Sequence, residues 1–291
     1  MMKRRAYHSL AWSVLCCSVL GVCAASSLQA AHASNPTHKQ ERLAKIKQKF
    51  HAPTIKVLLA GDVDGAIIEV KGPYNIYDPF TAEKLYSAFT PATNYMFPTR
   101  DGLKWGQEFP GVYQLLIVPD DCQTPILVGG TEYCGMVAIY QLDGSIGIVN
   151  EVPVEDFVAS CLTNELAGKV TSKEGIAACA IALRTKAYEA SLVGETPYWD
   201  VKAEAWGYDG SSDIPRTASF QDALRSSQDM VLQQLTQKAS PELPDIAWFS
   251  QAKASIPVAE INALAGDGKN AREILEHFFA CSTVALLTRS Q

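Results

Sequence analysis

The sequence predicts an α+β fold, with a β-rich N-terminal half followed by a helical core. From Ile55 onward, apolar residues alternate with polar ones in short runs that Gly, Asp and Pro separate, as in β-strands. After Asn150 the apolar spacing changes to the 3.6-residue period of α-helices. Strands followed by helices, rather than alternating with them, are typical of α+β domains.

The first half contains several strand candidates. The turn Leu142-Asp143-Gly144-Ser145 predicts a hairpin in the last of them, because Asp-Gly is a favoured two-residue turn. The candidates are residues 55–60, 66–72, 74–78, 111–119, 125–133 and 135–150.

The second half is predicted to begin with two consecutive helices. Pro153 suits the first turn of a helix that runs to about Leu166. Thr171 and Glu174 have the spacing of a capping box, which predicts a second helix to about Ser191. Further helices are predicted at 220–237 and 270–279, and a final strand at 283–287.

The N-terminus has the pattern of a secretory signal. Lys3, Arg4 and Arg5 precede an apolar or small-residue run at 10–25, and Ala31-His32-Ala33 offers a cleavage site. We therefore expect a signal peptide at 1–33, a polar linker at 34–53 and one domain at 54–291, exported to the periplasm or cell envelope. The chain would contact a membrane only if the signal segment were retained as an anchor.

Composition narrows the partners and cofactors. Cleavage would leave 22 basic (25 minus 3) and 31 acidic residues, a net charge near −9, which argues against nucleic acid as a partner. Five cysteines would remain, none in a CxxC pair and none grouped with histidines, so we expect no metal and no cofactor. Cys161 and Cys179 are predicted to be small buried hydrophobes, and the sequence does not give any disulfide pairing.

The candidate site begins with Glu165. On a helical wheel it falls on the same stripe as Val154, Val158, Cys161 and Leu162, which predicts a carboxyl at the end of an apolar ridge. Burial and the helix C-terminus would both favour the protonated form that a general acid needs. Asp156 lies about 180° away on the wheel, so the pair of carboxylates used in ordinary glycoside hydrolysis is not expected.

Arg184 is the second charged residue in an apolar setting, because it follows the apolar run 176–183. A buried guanidinium needs a carboxylate or several carbonyl partners. The sequence leaves two roles open: a structural tie to an acid or to backbone, and contact with a bound ligand.

The run from Tyr133 to Tyr188 resembles the stage II sporulation protein D family and the related amidase-enhancer proteins. IVNEVPVEDFVASCLTNEL (148–166) is similar to the family pattern vVNelplEdYvkgVvpsEm, and EGIAACAIALRTKAY (174–188) to EALkAQAvaARTyA. Tyr208-Asp209-Gly210 stands where the family has vYxG, and residues 263–279 resemble its mAxxGxxyxeILxhYY segment.

The resemblance implies a lytic transglycosylase that acts on peptidoglycan glycan strands, with Glu165 as general acid and then base. It also implies that Asn164, Arg184, Tyr188 and Tyr208 line a substrate cleft. One alternative is a non-catalytic glycan-binding module that activates a partner cell-wall amidase, and another is a structural envelope protein without affinity for glycan. The sequence departs from the family at Ala177, Cys179 and Lys186, lacks the expected GGxTe segment, and has no zinc ligands at 201–206.

Overall fold

The computed structural model describes residues 41, 45–46, 53–166, 168–211, 214, 217–234, 248, 256–280 and 282–287, all within the unit Pro36–Gln291. The predicted signal peptide at 1–33 and most of the predicted linker at 34–53 lie outside these residues. Ile46, inside that linker, is buried against Leu116, Val118 and Val149 of the first sheet. At least this linker residue therefore packs on the domain.

The described chain between residues 54 and 153 consists of antiparallel strands in two sheets, as the alternating sequence predicts. A seven-stranded sheet has the order β13-β1-β12-β11-β8-β3-β4, in which β13 comes from residues 201–202 and pairs parallel with β1, and a six-stranded sheet has the order β10-β9-β2-β5-β6-β7. The strands are β1 (Thr54–Val63), β2 (Ala66–Val70), β3 (Tyr74–Tyr77), β4 (Lys84–Ala88), β5 (Ala92–Thr99), β6 (Gly102–Trp105), β7 (Gln107–Pro110), β8 (Gln114–Pro119), β9 (Ile126–Val128), β10 (Thr131–Tyr133), β11 (Met136–Leu142), β12 (Ser145–Pro153) and β13 (Val201–Lys202).

Side chains from both sheets meet in one buried apolar cluster. Ile68, Met96 and Leu103 of the second sheet pack there with Ile117 and Ile148 of the first, and all five are fully buried. Burial of each such side chain contributes roughly 1.5–3 kcal/mol. The period-two pattern thus produces a rigid β body on which the helices rest.

The helices follow β12 directly and form a second apolar cluster with β1 and β12. The long second helix is enclosed by the first, fourth and sixth helices and by β14, which explains why its first half is apolar on every face. The elements are α1 (Val154–Leu166), α2 (Lys173–Val193), α3 (Ala203–Trp206), α4 (Ala218–Ser226), β14 (Met230–Gln234), α5 (Val258–Gly266), α6 (Ala271–Phe278) and β15 (Ser282–Leu286).

The α+β prediction is confirmed, and three local predictions are corrected. The N-cap of α2 is Ser172, whose hydroxyl accepts a hydrogen bond from the Gly175 N–H, not Thr171. The helix predicted at 220–237 ends at Ser226, and Met230–Gln234 pairs as a strand with Ser282–Leu286. The sequence also missed β4 to β7: β4, β5 and β7 are largely exposed or half-buried, whereas three of the four residues of β6 are buried.

Two further properties concern the described ranges. Within these ranges, no helix is both long enough and apolar enough to cross a membrane. Their four cysteines carry free thiols, and Cys161 and Cys179 are fully buried, as predicted. Burial raises the pKa of the Cys179 thiol to about 12, so it is held in its neutral form.

Candidate functional site

Glu165 lies in the last turn of α1, and its side chain is exposed. The four stripe residues that the wheel grouped with it, Val154, Val158, Cys161 and Leu162, are all buried. The expectation of a buried carboxyl is therefore wrong. The wheel gives the direction of a side chain but not its depth, and at this point the helix projects past the edge of the core.

The Glu165 carboxylate faces the turn that follows α3. A Cβ placed on Gly207 would lie 3.6 Å from Glu165 Oε1, so the hydrogen-only side chain of Gly207 leaves space beside the acid. Gly207 has φ of 60°, a left-handed conformation that glycine adopts without a steric penalty. Asn164 Nδ2 donates a 2.7 Å hydrogen bond to the Gly207 carbonyl, which fixes the turn against the helix end.

Aromatic rings support this turn from within the core. Trp206, half-buried, packs against Phe157 with ring centroids 5.6 Å apart. Phe157 in turn packs against Tyr208 at 5.3 Å. The exposed acid is thus carried by a helix end and a turn that are both fixed by buried side chains.

Arg184 is fully buried and has the structural role, the first of the two that the sequence left open. Its Nε and Nη2 donate to the two carboxylate oxygens of Glu155 at 2.8 and 2.7 Å. Its Nη1 donates to the carbonyls of Ser227 and Met230 at 2.8 and 3.0 Å. The guanidinium does not face solvent, so the predicted contact with substrate is not offered by this arrangement.

Tyr208 is also buried, and its hydroxyl is engaged within the protein. It donates a 2.6 Å hydrogen bond to Asn150 Oδ1, while Asn150 Nδ2 donates to the carbonyls of Cys134 and Met136. Burial raises the pKa of the Tyr208 phenol well above its ordinary value. The expectation that Tyr208 lines a cleft is therefore corrected: it holds β11, β12 and the turn after α3 together.

Tyr188 is half-buried and packs against the helical core. It lies one turn beyond Arg184, whose partner Glu155 begins α1, so α1 and α2 run antiparallel. Glu155 and Glu165 are ten residues apart, roughly 15 Å along a helix. Tyr188 and Glu165 are thus at opposite ends of the hairpin, and of the four predicted cleft residues only Asn164 stands beside the acid.

The pair Glu155 and Asp156 is a feature that the sequence did not single out as a site. Both line an open pocket of about 280 Å³ with Gln221, Arg225 and Gln228. Burial, and secondarily the neighbouring Glu155, raise the pKa of Asp156. The sequence signal that could have indicated this pair is the position of Glu155 in the first turn of α1. A carboxylate is favourable at a helix start, and here it faces the end of the antiparallel helix α2.

A second cavity lies beside the end of α1. Its volume is about 370 Å³, and it is lined by Leu162, Thr163 and Leu166 together with residues from the starts of α2 and α4. Glu165 belongs to the same last turn of α1 but is not among the residues that line this cavity, and its Oε1 lies beside Gly207 instead. Within the described residues, no group of three or more His, Cys, Asp or Glu side chains is placed to hold a metal ion.

The sequence of the chain is similar to that of a known protein family. The model of the Stage II sporulation protein (SpoIID) family matches residues 142–234, a range that contains Glu165 and all four predicted cleft residues. An uncharacterized protein of Chlamydia pneumoniae is 31% identical over 78% of this chain and 79% of its own length. The chain belongs to the SpoIID family.

Two further relatives are similar to parts of the chain. An uncharacterized protein of Chlamydia muridarum is 28% identical over 78% of this chain and 75% of its own length. An uncharacterized protein of Brachyspira hyodysenteriae is 32% identical over 41% of this chain and 32% of its own length. No solved structure matches the chain. The SpoIID family is linked to cell-wall processes, which gives this protein a cell-wall-related role.

Proposed function

We propose that this SpoIID-family protein is exported and cleaves peptidoglycan glycan strands as a lytic transglycosylase. Its substrate would be the β-1,4 bond between N-acetylmuramic acid and N-acetylglucosamine in strands stripped of their peptides, and its products would carry 1,6-anhydro ends. The observation that carries the proposal is the accessible carboxyl of Glu165, at a helix end that the family model spans and that a hydrogen-bonded turn fixes.

A single carboxyl group is sufficient for this reaction. The Glu165 carboxylic acid donates its proton to the departing glycosidic oxygen as the bond from that oxygen to C1 breaks. The resulting carboxylate then removes the proton from the C6 hydroxyl of the same sugar, whose oxygen bonds to C1. The ring closes as a 1,6-anhydro sugar and Glu165 regains its proton. The reaction therefore needs no water molecule as nucleophile and no second carboxylate.

The exposed position of Glu165 suits a polymeric substrate. A glycan strand is too long to enter an enclosed cavity and must lie across an open surface. A strand laid over the end of α1 would displace water from the carboxyl, and a dry site strengthens electrostatic interactions and favours proton transfer to the substrate. The exposed amide-bearing side chain of Asn164 and the half-buried ring of Trp206 provide neighbouring polar and aromatic contacts for sugar.

One observation favours the second candidate, a non-catalytic glycan-binding module that activates a partner amidase. Arg184 and Tyr208 are buried and fully engaged, so the surface around Glu165 lacks two of the groups expected to position a sugar for cleavage. In that case the same surface would bind strands without cutting them, and the cell-wall amidase would supply the chemistry.

The variant Glu165→Gln separates the two candidates. The purified full chain is incubated with peptide-free glycan strands, and the products are identified by mass. Transglycosylase action predicts 1,6-anhydro products from the native chain and none from Glu165→Gln. Glu204→Gln, the same change at an exposed glutamate of the adjacent α3, should retain full activity. Strand binding without any anhydro product from the native chain would support the amidase-activating module instead.

A further inference from the structure

The cavity beside the end of α1 has the composition of a small-molecule site. Its volume of about 370 Å³ lies at the lower end of the usual range for ligand pockets, roughly 300–1,000 Å³. Every lining residue in the part of the chain that the structure describes is uncharged. Apolar side chains from α1, from the start of α2 and from α4 form the wall: Leu162, Leu166, Val170, Ile176 and Phe220.

Hydroxyl groups surround this apolar wall. Thr171, Thr217 and Ser219 are exposed at the rim, and their hydroxyls make no hydrogen bond to any other described residue. The Thr163 hydroxyl donates to the Ala159 carbonyl at 2.8 Å and keeps its oxygen free to accept. The rim can therefore both donate to and accept from a polar ligand group.

The start of α4 adds donors to the same rim. Thr217 is its N-cap and makes no side-chain capping bond, which leaves the first-turn N–H groups without that partner. Backbone N–H groups at a helix start carry partial positive charge and bind carbonyl or anionic oxygens. Thr217, Ser219 and Phe220 line the cavity, so these donors lie at its mouth.

We propose that this cavity binds the N-acetyl group of an amino sugar in the glycan strand. The acetyl methyl would contact the apolar wall, the carbonyl oxygen would accept from the start of α4, and the amide N–H would donate to a rim hydroxyl. This inference rests on the proposed glycan substrate. It extends that proposal by naming the substituent that is recognised one face away from Glu165.

The charge of the cavity favours this occupant over the alternatives on a cell-wall strand. A free amino sugar would present an ammonium group, and an unpaired ammonium is costly to bring into an uncharged apolar cavity. It would also meet the positive end of α4. A stem peptide would bring carboxylates and ammonium groups that the described lining residues, all uncharged, cannot pair. A neutral acetamido group meets neither penalty.

The experiment compares peptide-free strands with the same strands after chemical removal of their N-acetyl groups. Strand binding is measured by calorimetry on the full chain carrying Glu165→Gln, so that no cleavage is needed, and cleavage is measured on the native chain. We expect binding of the N-acetylated strands to be tighter by roughly 10- to 200-fold, the range for a lost apolar contact in a pocket. Equal affinity for the two strands would overturn the inference.

A matched pair of variants tests the location. Ser219→Phe places a ring over the mouth of the cavity, and Ser226→Phe makes the same change at the other, exposed end of α4. The first should bring the affinity ratio of the two strands close to one, whereas the second should leave it unchanged. An unchanged ratio in Ser219→Phe, with the fold confirmed by circular dichroism, would place the N-acetyl preference elsewhere and refute the assignment.

The two proposals fail in different ways. If the native chain cuts both strand types equally, the transglycosylase stands and the N-acetyl pocket falls. If no strand is cut but Glu165→Gln still prefers N-acetylated strands and loses this preference in Ser219→Phe, the pocket stands and the catalytic proposal falls. Absence of both cleavage and binding refutes both.

Discussion

Removal of Arg184 should be among the most destabilising single changes in this protein. The guanidinium is fully buried, and it neutralises Glu155, whose side chain is 29% exposed, while it satisfies the carbonyls of Ser227 and Met230. Arg184→Met keeps much of the side-chain volume but removes the four hydrogen bonds that the guanidinium donates, while the Asp229 N–H still donates to Glu155 and the Met230 N–H to the Ser227 carbonyl. Loss of one member of a buried ion pair typically costs about 3–5 kcal/mol, and because water reaches the partly exposed Glu155, we expect a cost in the lower part of that range.

This loss is a large share of a typical unfolding free energy of about 5–15 kcal/mol. With a denaturant dependence on the order of 2–3 kcal/mol per molar urea, the unfolding midpoint should fall by roughly 1–2 M. Tryptophan fluorescence in urea measures it. Arg225→Met is the control, since its ion pair with Asp222 has side chains that are 76% and 53% exposed and should add little.

A double variant sharpens the reasoning. The double variant Arg184→Met/Glu155→Met removes both charges. Its loss of unfolding free energy should therefore be well below the sum of the losses in the two single variants. At temperatures where Arg184→Met remains folded, its affinity for glycan strands should equal that of the native chain, because the guanidinium does not face solvent. A loss of unfolding free energy below about 1 kcal/mol in Arg184→Met, or weaker strand binding by the folded variant, would refute the structural role of Arg184.

Two further predictions test local electrostatics and capping. Burial and Glu155 raise the folded-state pKa of Asp156 above its ordinary value of 3.8, so ionising Asp156 destabilises the fold as pH rises from about 3.8 through the raised pKa. Asp156→Asn should therefore stabilise the protein at pH 7 and leave its stability unchanged below pH 3.8. Urea unfolding at both pH values measures this, and an equal gain in unfolding free energy at the two pH values would contradict the prediction. Ser172→Ala removes the hydroxyl that accepts from Gly175 and should cost about 1 kcal/mol, whereas Thr171→Ala should be close to neutral, as thermal unfolding of the pair would show.

The elements that the sequence predicted are those whose pattern is set by their own burial. Strands β8, β11 and β12 have many buried residues, and β1 alternates the buried Ile55 and Val57 with half-buried positions, so their continuous or alternating apolar runs are visible in the sequence. β5 has one fully buried residue, Met96, and β7 has only Phe109, so neither carries a readable period. These strands depend on their neighbours in the sheet, which local sequence does not reveal.

The error at 220–237 has the same cause. Asp229 adopts φ of 59°, a left-handed conformation that breaks the helical path, and Met230–Gln234 then pairs with Ser282–Leu286 about fifty residues later. The helical spacing continues through this region, but a distant strand completes its hydrogen bonds. Arg184 shows the opposite case: its apolar surroundings predicted burial correctly, while its partner Glu155 could be found only once the two helices were seen to run antiparallel.

The exposure of Glu165 changes what the catalytic proposal requires of the protein. A buried acid would be kept protonated by the fold itself, whereas an exposed acid depends on the bound strand to exclude water from it. Binding and chemistry then become coupled, because a strand that fails to cover the end of α1 leaves the carboxyl in solvent. The proposed N-acetyl cavity shares the last turn of α1 with Glu165, so a sugar anchored there would bring the strand across the acid. Changes at the cavity rim should accordingly lower cleavage more than they lower strand binding.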